Sequence, residues 1–205
     1  MRVVDLESRL RAAGCVFAED EAAALVEAFG APEELEVAVA RRESGEPLEY
    51  VVGYARFDGL RIRLLPGVFV PRPRAEPLVW AASRELRRRR GAARALDLGC
   101  GSGALAAALA ARAGFAEIIA TDIDPRAVQC ARLNAARWAY TVLSGDWFCG
   151  LPAECRAGFN VVVAYLPHVP AADLAGLPRD YREAEPGLSV HGGPDGLDPL
   201  RRVLT

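Results

Sequence analysis

Lysine is absent from the chain, so arginine supplies every basic side chain in its 205 residues. Together with the abundance of alanine and glycine, this is a compositional bias and carries no functional message. Histidine is confined to His168 and His191, and the cysteines at 15, 100, 130, 149 and 155 form no Cys-x-x-Cys pair. That scarcity argues against a zinc site and against a disulfide framework, and no metal is expected. Cys100 fits its glycine-rich surroundings by being small. No apolar stretch resembles a signal sequence or is long enough to span a bilayer, which predicts a cytoplasmic protein without membrane attachment. A formal net charge of -2 gives no general attraction to a phosphate backbone, so nucleic acid is not the expected partner. The one basic run, Arg87-Arg88-Arg89-Arg90, reads as the solvated end of a helix, where cations complement the dipole; a nucleic-acid contact is the alternative. Internal repeats and low-complexity linkers are missing as well.

What remains is ample for a folded core, since 52% of the residues are hydrophobic. Leu6 and Leu10 share a helical face, Ala22 to Phe29 ends at Gly30, and Pro32-Glu33-Glu34 fits a new helix start. Residues 1–48 are therefore expected to form a small helical unit that leans on the rest. Val51, Val52, Tyr54 and Phe57 precede Asp58-Gly59, and Leu60, Ile62 and Leu64 alternate after it, which predicts a β-hairpin and linker over 49–75. From Glu76 onward a helix near 76–90 gives way to strands near 95–98, 117–122, 141–144 and 159–164 with helices between them. This alternation predicts an α/β domain over 76–205, with a parallel, Rossmann-like sheet and a ligand beyond the carboxyl ends of its strands.

The strongest local signal is Asp97-Leu98-Gly99-Cys100-Gly101-Ser102-Gly103, where an apolar strand enters a turn with glycine at alternate positions and then an alanine-leucine helix. Glycine lets a ligand approach the backbone, and the first N–H groups of the helix are free to receive its polar groups. A tight strand-to-helix connection alone is the plain alternative. A second short strand ends in Asp122, 19 positions beyond Gly103, the place of a carboxylate that binds ribose hydroxyls. Asp124-Pro125 competes for that role but fits a helix cap followed by proline at the first helical position. The third glycine comes one residue too early for the dinucleotide fingerprint.

The loop resembles instead the Asp-x-Gly-x-Gly-x-Gly of class I methyltransferases. With Pro66-Gly67-Val68-Phe69-Val70-Pro71-Arg72-Pro73, Ser144-Gly145-Asp146-Trp147-Phe148, Glu185-Pro186 and Gly192-Gly193-Pro194-Asp195-Gly196-Leu197-Asp198, the chain resembles the HemK/PrmC family from about Ser44 onward. That family methylates the side-chain amide of glutamine, as in translation release factors. The resemblance implies S-adenosylmethionine as cofactor, S-adenosylhomocysteine as product, and cofactor contacts at Phe69, Asp97, Gly99, Gly101, Gly103, Asp122, Ile123, Asp146 and Trp147. Asp146 and Trp147 would flank the adenine; a buried core tryptophan is the alternative for Trp147. Phe69 and Arg72 would lie near cofactor and substrate, with a rigid proline-bounded linker as the other reading of Arg72.

Two departures stand out. Arg74-Ala75-Glu76 replaces the acidic residue that the family places directly after Pro-Arg-Pro, and Tyr165-Leu166-Pro167-His168 stands where the family has Asn-Pro-Pro-Tyr. Tyr165, Leu166, Pro167 and His168 are the candidate acceptor-site residues: Tyr165 as a pocket wall, Leu166 through its backbone carbonyl, and His168 as a general base or an exposed loop histidine. His191 is expected to have no catalytic role. The acceptor is open between a protein side chain, with release-factor glutamine as the family's example, and a small molecule; an inactive cofactor-binding protein is the rival function. Family sheets continue beyond a fourth strand, so the expectation is that the chain is part of a longer protein or that a second copy covers the sheet edge.

Overall fold

The structure is a computed structural model and describes residues 3–89, 92–114, 116–155 and 158–204. Arg90, the end of the basic run, lies outside the described residues.

Four helices come first: α1 Val3–Ala12, α2 Ala18–Ala28, α3 Pro32–Glu43 and α4 Leu48–Val52. Leu6, Leu10, Leu25, Val39 and Val51 bury one another in a core of their own, and the nearly buried Arg42–Glu21 pair at 2.6 Å ties α3 to α2. Pro32 starts α3 because its missing N–H is not needed in the first turn. Val51 and Val52, expected in the hairpin, belong to α4 instead. Their branched side chains favour a strand only weakly, and burial of Tyr50 and Val51 decides for a helical turn that stops at Gly53 in the left-handed conformation.

The hairpin pairs β1 Tyr54–Phe57 with β2 Leu60–Arg63, and Asp58 and Gly59 both take positive φ at its turn. Phe57 and Ile62 enter the main core, so the hairpin is bound to the larger unit. A short 3-10 turn, Pro73–Ala75, leads into α5 Glu76–Arg88, which buries Val79, Ala82 and Leu86.

The main sheet has β3 Ala93–Leu98, β4 Ala116–Asp122, β5 Thr141–Ser144 and β6 Val161–Ala164 in the order β5-β4-β3-β6, all parallel. Helices α6 Ala104–Arg112 and α7 Pro125–Trp138 connect the first three strands. Ala104 to Leu109 are all buried, so the alanines of α6 serve close packing on every side. After β5 the chain returns to the far side of β3, and the order reverses between β3 and β6. A crevice opens at such a reversal, outside the carboxyl ends of the strands. Helices α8 Arg179–Ala184 and α9 Asp198–Leu204 follow. Among the described residues β6 forms one edge of the sheet.

Gly103 shows how tightly the loop is built. Its φ is +76°, and a Cβ there would lie 2.2 Å from the Tyr140 hydroxyl oxygen. Gly103→Ala is expected to cost roughly 1–3 kcal/mol through the steric conflict and left-handed backbone; an unchanged midpoint in thermal unfolding would contradict this packing.

Candidate functional site

The glycine loop is held open by backbone geometry. Gly99, Gly101 and Gly103 all have positive φ, and the N–H groups of Gly99 and Cys100 both donate to the Thr121 carbonyl at 2.9 Å. Asp122, at the end of β4, accepts from Gly101 N–H at 2.8 Å with one oxygen and from Asp124 N–H at 2.9 Å with the other. Burial pushes its carboxyl above the ordinary carboxylate range. Asp124 caps α7 through Arg126 N–H at 2.8 Å, so the two neighbouring carboxylates have separate work.

A cavity of about 390 Å³ lies over these strand ends. Its wall includes Phe69, Gly99, Gly101, Asp122, Ile123, Asp146, Trp147, Tyr165 and Pro167. Asp97 and Gly103 stand behind the wall: Asp97 is fully buried and accepts from Ala106 N–H at 2.9 Å, while Gly103 packs on Tyr140. The other Asp97 oxygen has no hydrogen-bond partner among the described residues. Burial, with a smaller contribution from the Asp122 charge, pushes Asp97 up to about 7 from its ordinary 3.8. The folded state then holds a proton between pH 4 and 7 that the unfolded chain has lost, so stability falls as pH rises through this window. Asp97→Asn cannot ionise and is expected to gain on the parent by a few kcal/mol from pH 4 to 7 in urea unfolding; a constant difference across that range would contradict the buried-acid account.

Trp147 itself takes a positive φ of 51° after Asp146 and brings its ring edge to 3.5 Å from where a Gly99 Cβ would stand. Its indole N–H is buried without a hydrogen-bond partner among the described residues. Asp146 is half-exposed and pairs with Arg202 of α9 at 2.6 Å. Arg202, also on the cavity wall, had no signal in the sequence.

The Pro-Arg-Pro segment is locked from below. Arg72 lies over the Phe69 ring at 4.8 Å and donates to both oxygens of Glu185 at 2.7 Å, and Val70 N–H donates to the same carboxylate at 3.0 Å. Arg72 thus both borders the cavity and anchors its loop. Tyr50 of α4 reinforces this region by donating to the Val68 carbonyl at 2.7 Å.

At the other end, the Tyr165 ring stands 6.0 Å from Phe69 and 5.6 Å, edge-on, from His168. Arg74 donates to the Tyr165 hydroxyl at 2.5 Å, a contact that spacing along the chain does not announce. Leu166 and His168 are not on the cavity wall; the exposed His168 uses Nδ1–H to donate to the Leu166 carbonyl at 2.9 Å. His191 does border the cavity, and its Nδ1 accepts from Gly193 N–H at 3.2 Å.

The glycine turn, Asp122 and the Asp146-Trp147 pair thus border one cavity at the ends of a parallel sheet. Residues 95–185 match the methyltransferase domain family. Release factor glutamine methyltransferases are 38% identical in Geobacter sulfurreducens over 84% of this chain and 61% of theirs, 36% in Gloeobacter violaceus over 80% and 57%, and 39% in Moorella thermoacetica over 82% and 59%. The chain is thus similar in sequence to release factor glutamine methyltransferases over about four fifths of its own length. It spans about three fifths of the length of the curated HemK/PrmC proteins it matches. The fold is that of class I methyltransferases: the human METTL16 catalytic domain, solved in complex with a MAT2A 3'UTR hairpin, superimposes with a TM-score of 0.52 at 15% identity, covering 90% of this chain and 62% of that one. Among the described residues no helix is long and apolar enough to cross a membrane, and no cluster of His, Cys, Asp and Glu could hold a metal ion.

Proposed function

We propose that this chain is an S-adenosylmethionine-dependent methyltransferase of the HemK/PrmC type that acts on a protein acceptor in the cytoplasm and releases S-adenosylhomocysteine. The observation that carries this reading is the Asp122 carboxylate latched to Gly101 N–H at 2.8 Å on the wall of the cavity. Asp122 keeps lone pairs for ribose hydroxyls beyond its two backbone bonds. Gly101 has nothing within 4 Å of where its Cβ would be, so the loop leaves room for a ligand against its backbone. Trp147 and Asp146 offer a flat face and a carboxylate suited to a purine, with Ile123 beside them. Phe69, Gly99, Gly101, Asp122, Ile123, Asp146 and Trp147 would hold the cofactor. Asp97 and Gly103 support the loop from behind.

The cofactor supplies an electrophilic methyl group on a sulfonium. The protein's part is to bind, orient and exclude water, and no described side chain needs to form a covalent bond. Helices α1 to α4 would serve as the helical unit, the β1–β2 hairpin with the segment to Ala75 as the linker, and the sheet with its helices as the main cofactor-binding unit. Stabilisation on binding tests the reading: S-adenosylhomocysteine at a hundredfold over its Kd should add about 2.7 kcal/mol to folding stability, with NAD adding nothing. Equal effects of both, or of neither, would overturn it.

A further inference from the structure

Two hydrogen-bond donors meet at one end of the cavity: Tyr165 on its wall and the exposed Arg74 just off the wall, bonded to Tyr165. The Tyr165 hydroxyl accepts from Arg74 Nε at 2.5 Å, which leaves its own O–H to donate elsewhere, and leaves the terminal Arg74 nitrogens for another partner. Arg74 pairs with no carboxylate among the described residues, whereas Arg72 and Arg202 on the cavity wall are held by Glu185 and Asp146. Acceptors that border the cavity already have partners: Asp146 has Arg202, Asp198 has Arg201, and His191 Nδ1 has the Gly193 N–H. The Leu166 carbonyl takes the His168 ring N–H. The chain's side-chain amides are all elsewhere: Asn134 donates to the Arg63 and Ser102 carbonyls, Asn160 accepts from Arg94 N–H, and Gln129 is exposed on α7.

An amide nitrogen presents two N–H donors and is aimed by acceptors. A carboxylate has the same size and shape but presents only acceptors and a negative charge, so it is aimed by donors and a cation. We propose that the group methylated here is a side-chain carboxylate, a glutamate in place of a glutamine, held by the Arg74 guanidinium and the Tyr165 hydroxyl. This rests on the methyltransferase reading above and specifies its acceptor. In the transfer, a carboxylate oxygen lone pair forms the new O–CH3 bond while the S–CH3 bonding pair passes to sulfur. The negative carboxylate and positive sulfonium become a neutral ester and a neutral thioether, and no proton is released. No general base is required, because no proton leaves the carboxylate.

Two peptides identical except for a central Glu or Gln test this on the full chain. With S-adenosylhomocysteine present, the Glu peptide should bind at least tenfold more tightly by calorimetry. With methyl-tritiated S-adenosylmethionine, it should acquire label that alkali releases as volatile methanol. Arg74→Glu and Arg74→Gln should each weaken Glu-peptide binding at least tenfold while S-adenosylhomocysteine affinity stays within twofold, which also shows that the variants are folded. Tyr165→Phe should weaken the same peptide without changing cofactor affinity. Preference for the Gln peptide, alkali-stable label, or no binding of either peptide by cofactor-loaded protein would overturn the carboxylate proposal and leave the methyltransferase reading standing. Failure of folded parent protein to bind S-adenosylhomocysteine would overturn both.

Discussion

Asp122→Ala should lower the affinity for S-adenosylmethionine by about tenfold or more. Hydrogen bonds between a charged carboxylate and ribose hydroxyls contribute roughly 1.5–3 kcal/mol, and each 1.4 kcal/mol is a factor of ten in affinity. The substitution also frees the N–H groups of Gly101 and Asp124, which now bond to that carboxylate at 2.8 and 2.9 Å, so the cradle itself loosens. Asp122→Asn keeps the shape and an oxygen for one of the two N–H groups, and its loss should be smaller. Calorimetric titration against both variants, with circular dichroism as a check on folding, reads the effect directly. Equal affinity in Asp122→Ala and parent would contradict the ribose assignment.

Arg72→Ala should be the most destabilising single change at the site, at about 3–5 kcal/mol. The Glu185 carboxylate is 2% exposed, and with Arg72 gone only the Val70 N–H is left of the bonds described to it. Burial already pushes its carboxyl above the ordinary range against the opposing pull of Arg72, so removing the cation leaves the Val70 N–H as the main counterweight to desolvation. For a chain of this length each kcal/mol moves the melting temperature by about 2–4 °C, which puts the expected drop at about 6–20 °C. Replacing both partners, as in Arg72→Met with Glu185→Leu, should recover much of the loss, because the cost lies in stranding one charge. A double variant as unstable as Arg72→Ala would show that packing, and not the pair, holds this loop.

The parts of the fold that were legible in the sequence are those with a local physical cause. The Asp58-Gly59 turn needs two positive φ values, Asp124-Pro125 needs a cap and a pre-set first turn, and both stand as the sequence indicates. The glycine loop is legible for the same reason, and the alternation of strands and helices after it dictates a parallel sheet. Val51 and Val52 went the other way because burial against the first helices, a non-local effect, outweighs β-branching.

The candidate site was legible as a set of residues that mostly line one cavity, but not as a network. Asp97 and Gly103 carry the right residue types at the right spacing, yet one supports α6 and the other packs against Tyr140. Arg74 meets Tyr165 across 91 positions, and Arg202 meets Asp146 across 56. No periodicity or motif spacing encodes such pairs; they exist because loops from separate elements converge at the carboxyl ends of one sheet. The proposed acceptor chemistry rests on the first of these contacts, whereas the glycine loop bears only on the proposed cofactor.

The central claim is that the cavity over β3, β4 and β5 is an S-adenosylmethionine site. A crystal structure of the chain with S-adenosylhomocysteine tests it most directly. The account predicts the ribose hydroxyls within hydrogen-bond distance of Asp122 and the adenine against Trp147, with Asp146 turned from Arg202 toward the exocyclic amine. Ligand bound elsewhere, or bound in this cavity without contact to Asp122, would contradict it.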